Sequence, residues 1–240
     1  MAFNAGKSGK VYINGIDLSA YFREVGVSAS RELGDTTTLG ENAHTRIVLL
    51  RDAAINFSGF SDGTAVTGID ARLQALDSDS NTLYTYWHDG DTAGNRGMAM
   101  MAEQSEFSTQ SPVDGVVTVS ANGDSSVGLE LLKSLHALGA ETSFPCTGAT
   151  ANNGAATTNG GSAYLHVTAF TGTDVTVDIR HSTDNFAASN DSLASFTATT
   201  TAPSAQRITF TGTVRQYVRV VVTTAGGATS VTFNVGIRRG

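Results

Sequence analysis

The motif with the clearest chemical meaning is a Gly-x-Ser-x-Gly run from Gly59 to Gly63, with Ser61 at its centre. In α/β-hydrolases this motif forms a strained turn between a strand and a helix, which exposes the serine as a nucleophile. A strand-like run at 54–57 and a helix-like run at 68–77 flank it. A hydrolase also needs a parallel sheet built from repeated strand–helix–strand units, which this sequence does not offer. We therefore expect Ser61 to be a turn residue, and an esterase is the least favoured hypothesis.

Two further short motifs imitate ion-binding and phosphate-binding loops. Residues 77–81 (DSDSN) match the first three ligand positions of an EF-hand, but Thr82 replaces its glycine and His88 replaces its closing glutamate. Residues 6–8 (GKS) match the end of a P-loop but leave no room for the strand that must precede it. The five histidines are scattered without metal-ligand spacing. We therefore expect no catalytic residue, no metal and no cofactor.

The composition predicts many short strands joined by tight turns. The chain has 26 glycines and 3 prolines among 240 residues, and 15% of its residues are charged. No apolar run approaches the roughly 20 residues that a membrane helix needs, and the N-terminus lacks the apolar core of a secretory signal. The single Cys146 excludes an internal disulfide. We expect a mainly β protein that makes no membrane contact.

The charge distribution predicts two domains. Residues 1–141 carry 9 Lys and Arg against 18 Asp and Glu, a net charge of −9, whereas residues 142–240 carry 6 Arg against 4 Asp, a net charge of +2. Threonine also becomes denser after residue 141. We place the boundary between residues 141 and 142. The acidic first domain should repel nucleic acid rather than bind it tightly.

The first domain is predicted to be antiparallel β. Alternation predicts a strand at 25–30, and a polar stretch at 31–46 then interrupts the pattern as a long loop. Strand character resumes at 47–50 and 53–57, on either side of Arg51-Asp52. A loop of about sixteen residues is unusual in a compact domain, and such a loop is either functional or a plain surface loop.

One helix is predicted, with Ile69, Leu73 and Leu76 on its apolar face and a capping box formed by Thr67 and Asp70. Further strands are expected at 82–87, 97–106 and 115–121. Residues 127–138 fit either a strand or a helix, and the alternation at their start favours a strand.

The second domain is predicted to be a helix-free β-sandwich of the immunoglobulin-like or jelly-roll kind. Apolar residues alternate with polar or small ones at 175–180 and again at 231–237. Turn signals recur at about ten-residue spacing, which is typical of such sandwiches.

Taken in order, several segments of the first domain resemble the tail tube (major tail) proteins of long, flexible-tailed bacteriophages. They are VYINGIDLSAYF, REVGVSAS and LGDTTTLGENAHTRIVLLRDAAINFSGFSDG, followed by the helix. The local features are an acidic Asp-Thr loop, Gly40 six residues before Arg46, the Leu-Arg-Asp hinge, and the strand end from Ile55 to Phe60. The resemblance covers Val11 to Leu135, slightly more than half of the chain.

The resemblance implies two packed antiparallel sheets with a flanking helix. Subunits would form hexameric rings in which one sheet from each closes a β-barrel around a channel, and the rings would stack into the tube of a virion made in the bacterial cytoplasm. The partners would be other copies of the chain, the tape-measure protein and the tail terminator and distal tail proteins, with the genome DNA passing through the lumen without specific binding. The second domain would decorate the tube exterior and could contact host-surface glycans.

The resemblance also assigns roles to residues. The inter-subunit and ring-stacking loop would contain Leu33, Asp35, Thr36, Leu39, Glu41 and Arg46. The hinge and the strand after it would contain Arg51, Asp52 and Phe57. An acidic lumen, which lets DNA slide, would contain Glu32, Glu103 and Glu106.

An alternative from the binding class remains open. The chain would then be a carbohydrate-binding protein or adhesin acting through its second domain. Its only tryptophan, Trp87, lies in the first domain, which favours the structural hypothesis.

Overall fold

The computed structural model describes residues 6–40, 42–64, 68–76, 80–224 and 227–240. A 3₁₀ turn occupies Gly6–Ser8 and one helix, α1, occupies Ile69–Ala75. The strands are β1 (Lys10–Ile13), β2 (Ile16–Asp17), β3 (Phe22–Asp35), β4 (Arg46–Phe60), β5 (Thr82–Trp87), β6 (Arg96–Gln110), β7 (Thr118–Ser125), β8 (Glu130–Glu141), β9 (Cys146–Thr147), β10 (Ala151–Asn152), β11 (Gly161–Thr171), β12 (Thr176–Ser182), β13 (Asp191–Ser195), β14 (Ser204–Phe210), β15 (Tyr217–Thr223) and β16 (Ser230–Arg239).

The chain divides into two compact units. Unit 1 contains the chain up to Ser19, Leu83–Ala99 and Glu130–Gly240, and unit 2 contains Ala20–Thr82 and Met100–Leu129. This division differs from the boundary at residue 141 that the charge distribution predicts. Strand β8, which ends at Glu141, pairs with β16 from Lys133 onward. Backbone hydrogen bonds therefore hold segments from both sides of that position in one unit.

Unit 1 is a β-sandwich. Its first sheet has the strand order β14-β11-β16-β8-β6-β5-β1-β2, and its second has the order β10-β15-β12-β13 with β9 beside β15. Strand β6 contributes residues 96–99 to this unit. Alternate side chains of the central strands, among them Val177, Ile179, Phe233 and Val235, share one buried apolar cluster. The prediction of a mainly antiparallel β fold with one helix is confirmed.

The indole of Trp87 packs against the central strands of the first sheet of unit 1. Trp87 is fully buried. A Cβ at Gly97 on β6 would lie 2.2 Å from Cε3 of the indole, and a Cβ at Gly236 on β16 would lie 2.8 Å from its Cη2. Both glycines are therefore required by close packing.

Unit 2 has a four-stranded antiparallel sheet of order β3-β4-β7-β6, with residues 100–110 of β6 at one edge. One face is apolar, and Ile55, Phe57, Val119 and Ala121 are buried on it. The phenyl ring of Phe57 stacks on that of Phe22 with ring centroids 4.7 Å apart. This face supplies the core of the unit.

Two predictions for the first half are confirmed in part. The helix exists and buries Ile69 and Leu73, but Gly68 occupies the N-cap position and makes no side-chain cap bond. The capping box is therefore wrong, and Thr67 lies outside the described residues. Residues 127–138 do not form a helix, because Glu130–Glu141 is a strand paired on both sides.

The predicted long loop and hinge are also corrected. Strand β3 continues to Asp35 and β4 begins at Arg46, so the connection is only residues 36–45. Arg51 and Asp52 lie inside one continuous strand, opposite Arg31 and Ser30. Polar residues form these strands because the cross-strand ladder, rather than burial, fixes their backbone.

One buried histidine joins the first turn of the chain to the sandwich. The amide N–H of Gly15 donates to Nδ1 of His166 at 3.1 Å, and Nε2 lies 2.8 Å from Oγ1 of Thr85. Complete burial lowers the pKa of His166 to about 3. The imidazole is therefore neutral in the folded protein.

We expect Gly97→Ala to lower the free energy of unfolding by about 1–3 kcal/mol, because the added methyl group overpacks the site of Trp87. Urea unfolding followed by Trp87 fluorescence measures this. Gly63→Ala is the control, since a Cβ there meets nothing within 4 Å. Equal stability of the two variants would contradict the packing argument.

We expect acid to destabilise the protein in part through His166. An unfolded histidine binds a proton below about pH 6.5, whereas the folded one does not until about pH 3. Its stabilising contribution is thus complete above pH 6.5 and falls by about 1.4 kcal/mol per pH unit below it. In urea unfolding between about pH 7 and about pH 5, the free energy of unfolding of His166→Gln should rise relative to that of the wild type as the pH falls. A constant difference between the two would be contrary to this expectation.

Candidate assembly surface

The outer halves of β3 and β4 form a two-stranded ribbon with its turn, residues 33–50, which we name the arm. In its register Leu33 lies opposite Val48, Gly34 opposite Ile47 and Asp35 opposite Arg46. Branched aliphatic residues favour this extended pairing. Gly34 allows a close approach, because a Cβ there would lie 3.2 Å from Cγ1 of Ile47.

The arm exposes its aliphatic side chains. Leu50 is 77% exposed, Val48 is 58% exposed, and Leu39 in the turn is fully exposed. The other exposed aliphatic residues of the arm are Leu33, Ile47 and Leu49. A two-stranded ribbon has no core of its own, and clustered exposed apolar residues mark an interaction surface. The arm therefore has the composition of a surface that another chain covers.

Hydrogen bonds around one carboxylate organise the turn of the arm. Oδ1 of Asp35 accepts from the amide and the hydroxyl of Thr37, and Oδ2 lies 3.2 Å from Nδ1 of His44. These bonds, first of all that from the Thr37 hydroxyl, hold the pKa of Asp35 below its usual range. The amide of Thr36 donates to the carbonyl of Thr45 at 2.8 Å. The turn thus has a defined local geometry at its base.

The predicted loop residues fall into three places. Leu33, Asp35 and Arg46 lie in the paired strands of the arm, while Thr36 and Leu39 lie in its turn. Glu41 lies outside the described residues. The structure thus brings the described members of this set together on one protruding feature.

The second face of the unit 2 sheet is polar. Strand pairing places polar or small residues at successive positions of this face: Glu24, Gly26, Ser28 and Ser30 on β3, Asp52, Ala54, Asn56 and Ser58 on β4, Thr118, Ser120, Asn122 and Asp124 on β7, and Glu103, Glu106, Ser108 and Gln110 on β6. We name this surface the polar face. Hydrogen bonds cross it, such as Asn122 Nδ2 to Oε2 of Glu106 at 2.8 Å.

Five exposed carboxylates lie on the polar face. The predicted Glu103 and Glu106 are joined by Glu24, Asp52 and Asp124. Glu103 lies directly opposite Asp124, so two like charges face each other without burial. Alternation of polar residues along β3 and β7 was the signal that could have found Glu24 and Asp124.

Three other predicted residues are placed differently. Glu32 lies in a register shift of β3, where strand pairing assigns it to neither face. Arg51 is exposed on the same side of the sheet as the apolar face, and Phe57 is buried in the core of the unit. Phe57 therefore supports the fold rather than a surface.

Ser61 has the surroundings of a structural residue. Its hydroxyl donates to Oδ2 of Asp70 and its amide donates to the carbonyl of Val117 at 3.0 Å. Ser61 does not have the positive φ that strains a backbone turn. Gly59 is required because a Cβ there would lie 2.2 Å from the carbonyl oxygen of Tyr21. The motif thus ties the end of β4 to α1.

The other short motifs gain no support. Residues 6–8 form a 3₁₀ turn, and residues 77–79 of the EF-hand-like run lie outside the described residues. The described ranges contain no cluster of three or more metal-ligating side chains. No helix within them is long and apolar enough to cross a membrane.

No protein-family model matches this chain, and no curated protein matches it. Among solved structures, a chain from the virion of a native gene transfer agent particle is 17% identical with a TM-score of 0.41, over 53% of this chain and 97% of that one. The Dit protein of phage SPP1, described as part of a hub adsorption apparatus, is 14% identical with a TM-score of 0.37, over 96% and 98%. A chain of the phage p2 baseplate is 7% identical with a TM-score of 0.37, over 97% and 98%. At these values the similarities carry no argument about family or function.

We expect Ser61→Ala to lower the free energy of unfolding by about 1–3 kcal/mol, because Asp70 loses its donor. Ser61→Thr keeps the hydroxyl and should retain most of the stability. Urea unfolding measures both variants. An ester-hydrolysis activity of the wild type that Ser61→Ala removes would restore the nucleophile hypothesis.

Proposed function

We propose that this chain is a structural, non-enzymatic subunit of a bacteriophage-type tail, and that it forms hexameric rings that stack into a hollow tube. The observation that carries this proposal is the exposed aliphatic arm of unit 2. The sequence resemblance of Val11–Leu135 to tail tube proteins supports it independently. The mechanism is assembly, in which surfaces that are unfavourable in a single copy are covered by neighbouring copies.

Ring closure uses the two edges of the unit 2 sheet. At one edge, β3 pairs with β4 alone among the described strands, and its fourteen residues leave a row of backbone groups free. At the other edge, residues 103–110 of β6 pair with β7. Free edges are a liability in a monomer. Head-to-tail pairing of unlike edges closes a ring if the rotation between copies closes.

Ring stacking uses the arm. Burying exposed aliphatic side chains such as Leu50 and Val48 against the next ring stabilises the contact by roughly 25 cal/mol for each Å² of apolar surface removed from water. The polar residues of the turn remain available to hydrogen-bond across the ring boundary. The arm thus couples one ring to the next.

The polar face suits the lumen of the tube. Its carboxylates, including Glu103 and Glu106, repel DNA phosphates, so the genome slides without being bound. Most of the side chains around them are small and polar, and Phe60, opposite Thr118 at one end of the face, is the large apolar exception among the described residues. In this arrangement the apolar face of the sheet points away from the channel.

The remaining assignments follow the same proposal. The sandwich that contains residues 142–240, together with β5 and β8, decorates the tube exterior. The partners are other copies of the chain, the tape-measure protein inside the tube, and the terminator and distal tail proteins at its ends. The protein acts as a component of the virion.

We expect Leu50→Glu to prevent tube formation while leaving the subunit folded, because a charge on the arm opposes burial between rings. Because the side chain of Leu50 is exposed, its replacement should change the free energy of unfolding by less than about 0.5 kcal/mol. Negative-stain microscopy and sedimentation of concentrated protein measure assembly, and urea unfolding measures stability.

Val113→Glu is the matched control, since Val113 is fully exposed and lies outside the arm. It should form tubes with the same regular repeat as the wild type. Normal tubes from Leu50→Glu would remove the role of the arm. A wild-type protein that stays monomeric at high concentration would overturn the proposed function itself.

A further inference from the structure

Unit 1 contains an open cleft of about 580 Å³ beside β6, β8 and β16. Three cationic side chains, Arg96, Lys133 and Arg239, lie among its lining residues, and no carboxylate does. The net charge of the whole chain is −7. The cleft is therefore a local positive site on a negatively charged protein.

The cations of the cleft are not neutralised by ion pairs. Within the described part of the chain, none of the three forms a salt bridge. Arg96 and Lys133 are direct cross-strand partners of β6 and β8, so both side chains project from the same face. Like charges placed opposite each other on neighbouring strands destabilise a sheet. A bound anion would remove this repulsion.

Neutral acceptors hold two of these cations in place. Nζ of Lys133 donates to the carbonyl of Asn152 at 3.0 Å and to Oδ1 of Asn153 at 3.2 Å. A guanidinium nitrogen of Arg239 donates to the carbonyls of Ala155 and Val214 at 2.6 and 3.3 Å. These bonds orient the side chains and leave their positive charge uncompensated. The charge is thus preorganised rather than mobile.

Two buried donors at the cleft lack an acceptor. Nδ2 of Asn153 and Nε of Arg239 are buried and have no hydrogen-bond partner among the described residues. Because these two nitrogens are closed to solvent, a ligand in the open cleft does not contact them directly. The ligand-facing groups are therefore the exposed parts of the cationic side chains.

We propose that this cleft binds an acidic sugar, either a uronate or a sugar phosphate. Arg96, Lys133 and Arg239 bind the carboxylate or phosphate oxygens through charge-assisted hydrogen bonds. The side-chain amide nitrogen of Asn152, an exposed residue, can donate to a hydroxyl group. Leu131, which is 69% exposed at the cleft, offers an apolar surface to the C–H face of the ring. The site does not depend on ring formation.

The test is a titration of the protein with glucuronate and, separately, with glucose 6-phosphate. Binding is measured by calorimetry and by changes in amide chemical shifts. Neutral glucose is the ligand control. We expect saturable binding of an acidic sugar that weakens as salt is added, since exposed charges are screened. Arg96→Gln should weaken binding about tenfold, and Arg96→Lys should keep most of it.

The side chain of Arg96 is exposed and forms no ion pair within the described part of the chain, so its variants should remain folded for the comparison. Arg31→Gln in unit 2 is the matched control, because it makes the same change in net charge outside the cleft. Binding of glucuronate alone assigns a carboxylate site, and binding of glucose 6-phosphate alone assigns a phosphate site. Failure of both to bind, equal binding of glucose, or unchanged binding by Arg96→Gln would overturn the proposal.

Discussion

The packing of Trp87 is the constraint on which unit 1 depends. Its indole fits only because Gly97 and Gly236 carry no side chain, and it shares that space with Leu132. Strands β5, β6, β8 and β16 are neighbours in the first sheet. One ring on β5 therefore occupies the space next to β6 and β16 that side chains would otherwise fill. Arg96 precedes Gly97 directly, so the same constraint positions the cleft.

The sequence alone was sufficient to predict the strands that bury every second residue. Val177 and Ile179, or Phe233 and Val235, alternate with polar neighbours because one face of each strand contributes to a core. The same reasoning found α1 through Ile69 and Leu73. Where one face of a strand or helix is buried, the regular spacing of its apolar residues can be recognised in the sequence.

The arm lacks that regular spacing. Ile47, Val48, Leu49 and Leu50 are consecutive and all exposed, so no alternation separates a buried side from a solvent side. Residues 31–35, of which Arg31, Glu32 and Asp35 are charged, are extended because β4 pairs with this segment, which composition does not reveal. The unit boundaries could not be predicted from charge either, because β8 and β16 meet through backbone bonds that every sequence can make. Sequence reasoning therefore singled out the stretch at 33–46 but described it as a loop, whereas its ends are paired strands.

The turn that carries Gly15 also constrains when the protein can fold during synthesis. Its amide reaches His166, and its Cα lies so close to Ser204 that a Cβ would come within 2.4 Å of that carbonyl oxygen. The surroundings of this turn are therefore complete only after His166 and Ser204 have been synthesised. Contacts of such long sequence separation slow folding. Unit 1 thus cannot finish folding until strands far along the chain from β1 have left the ribosome.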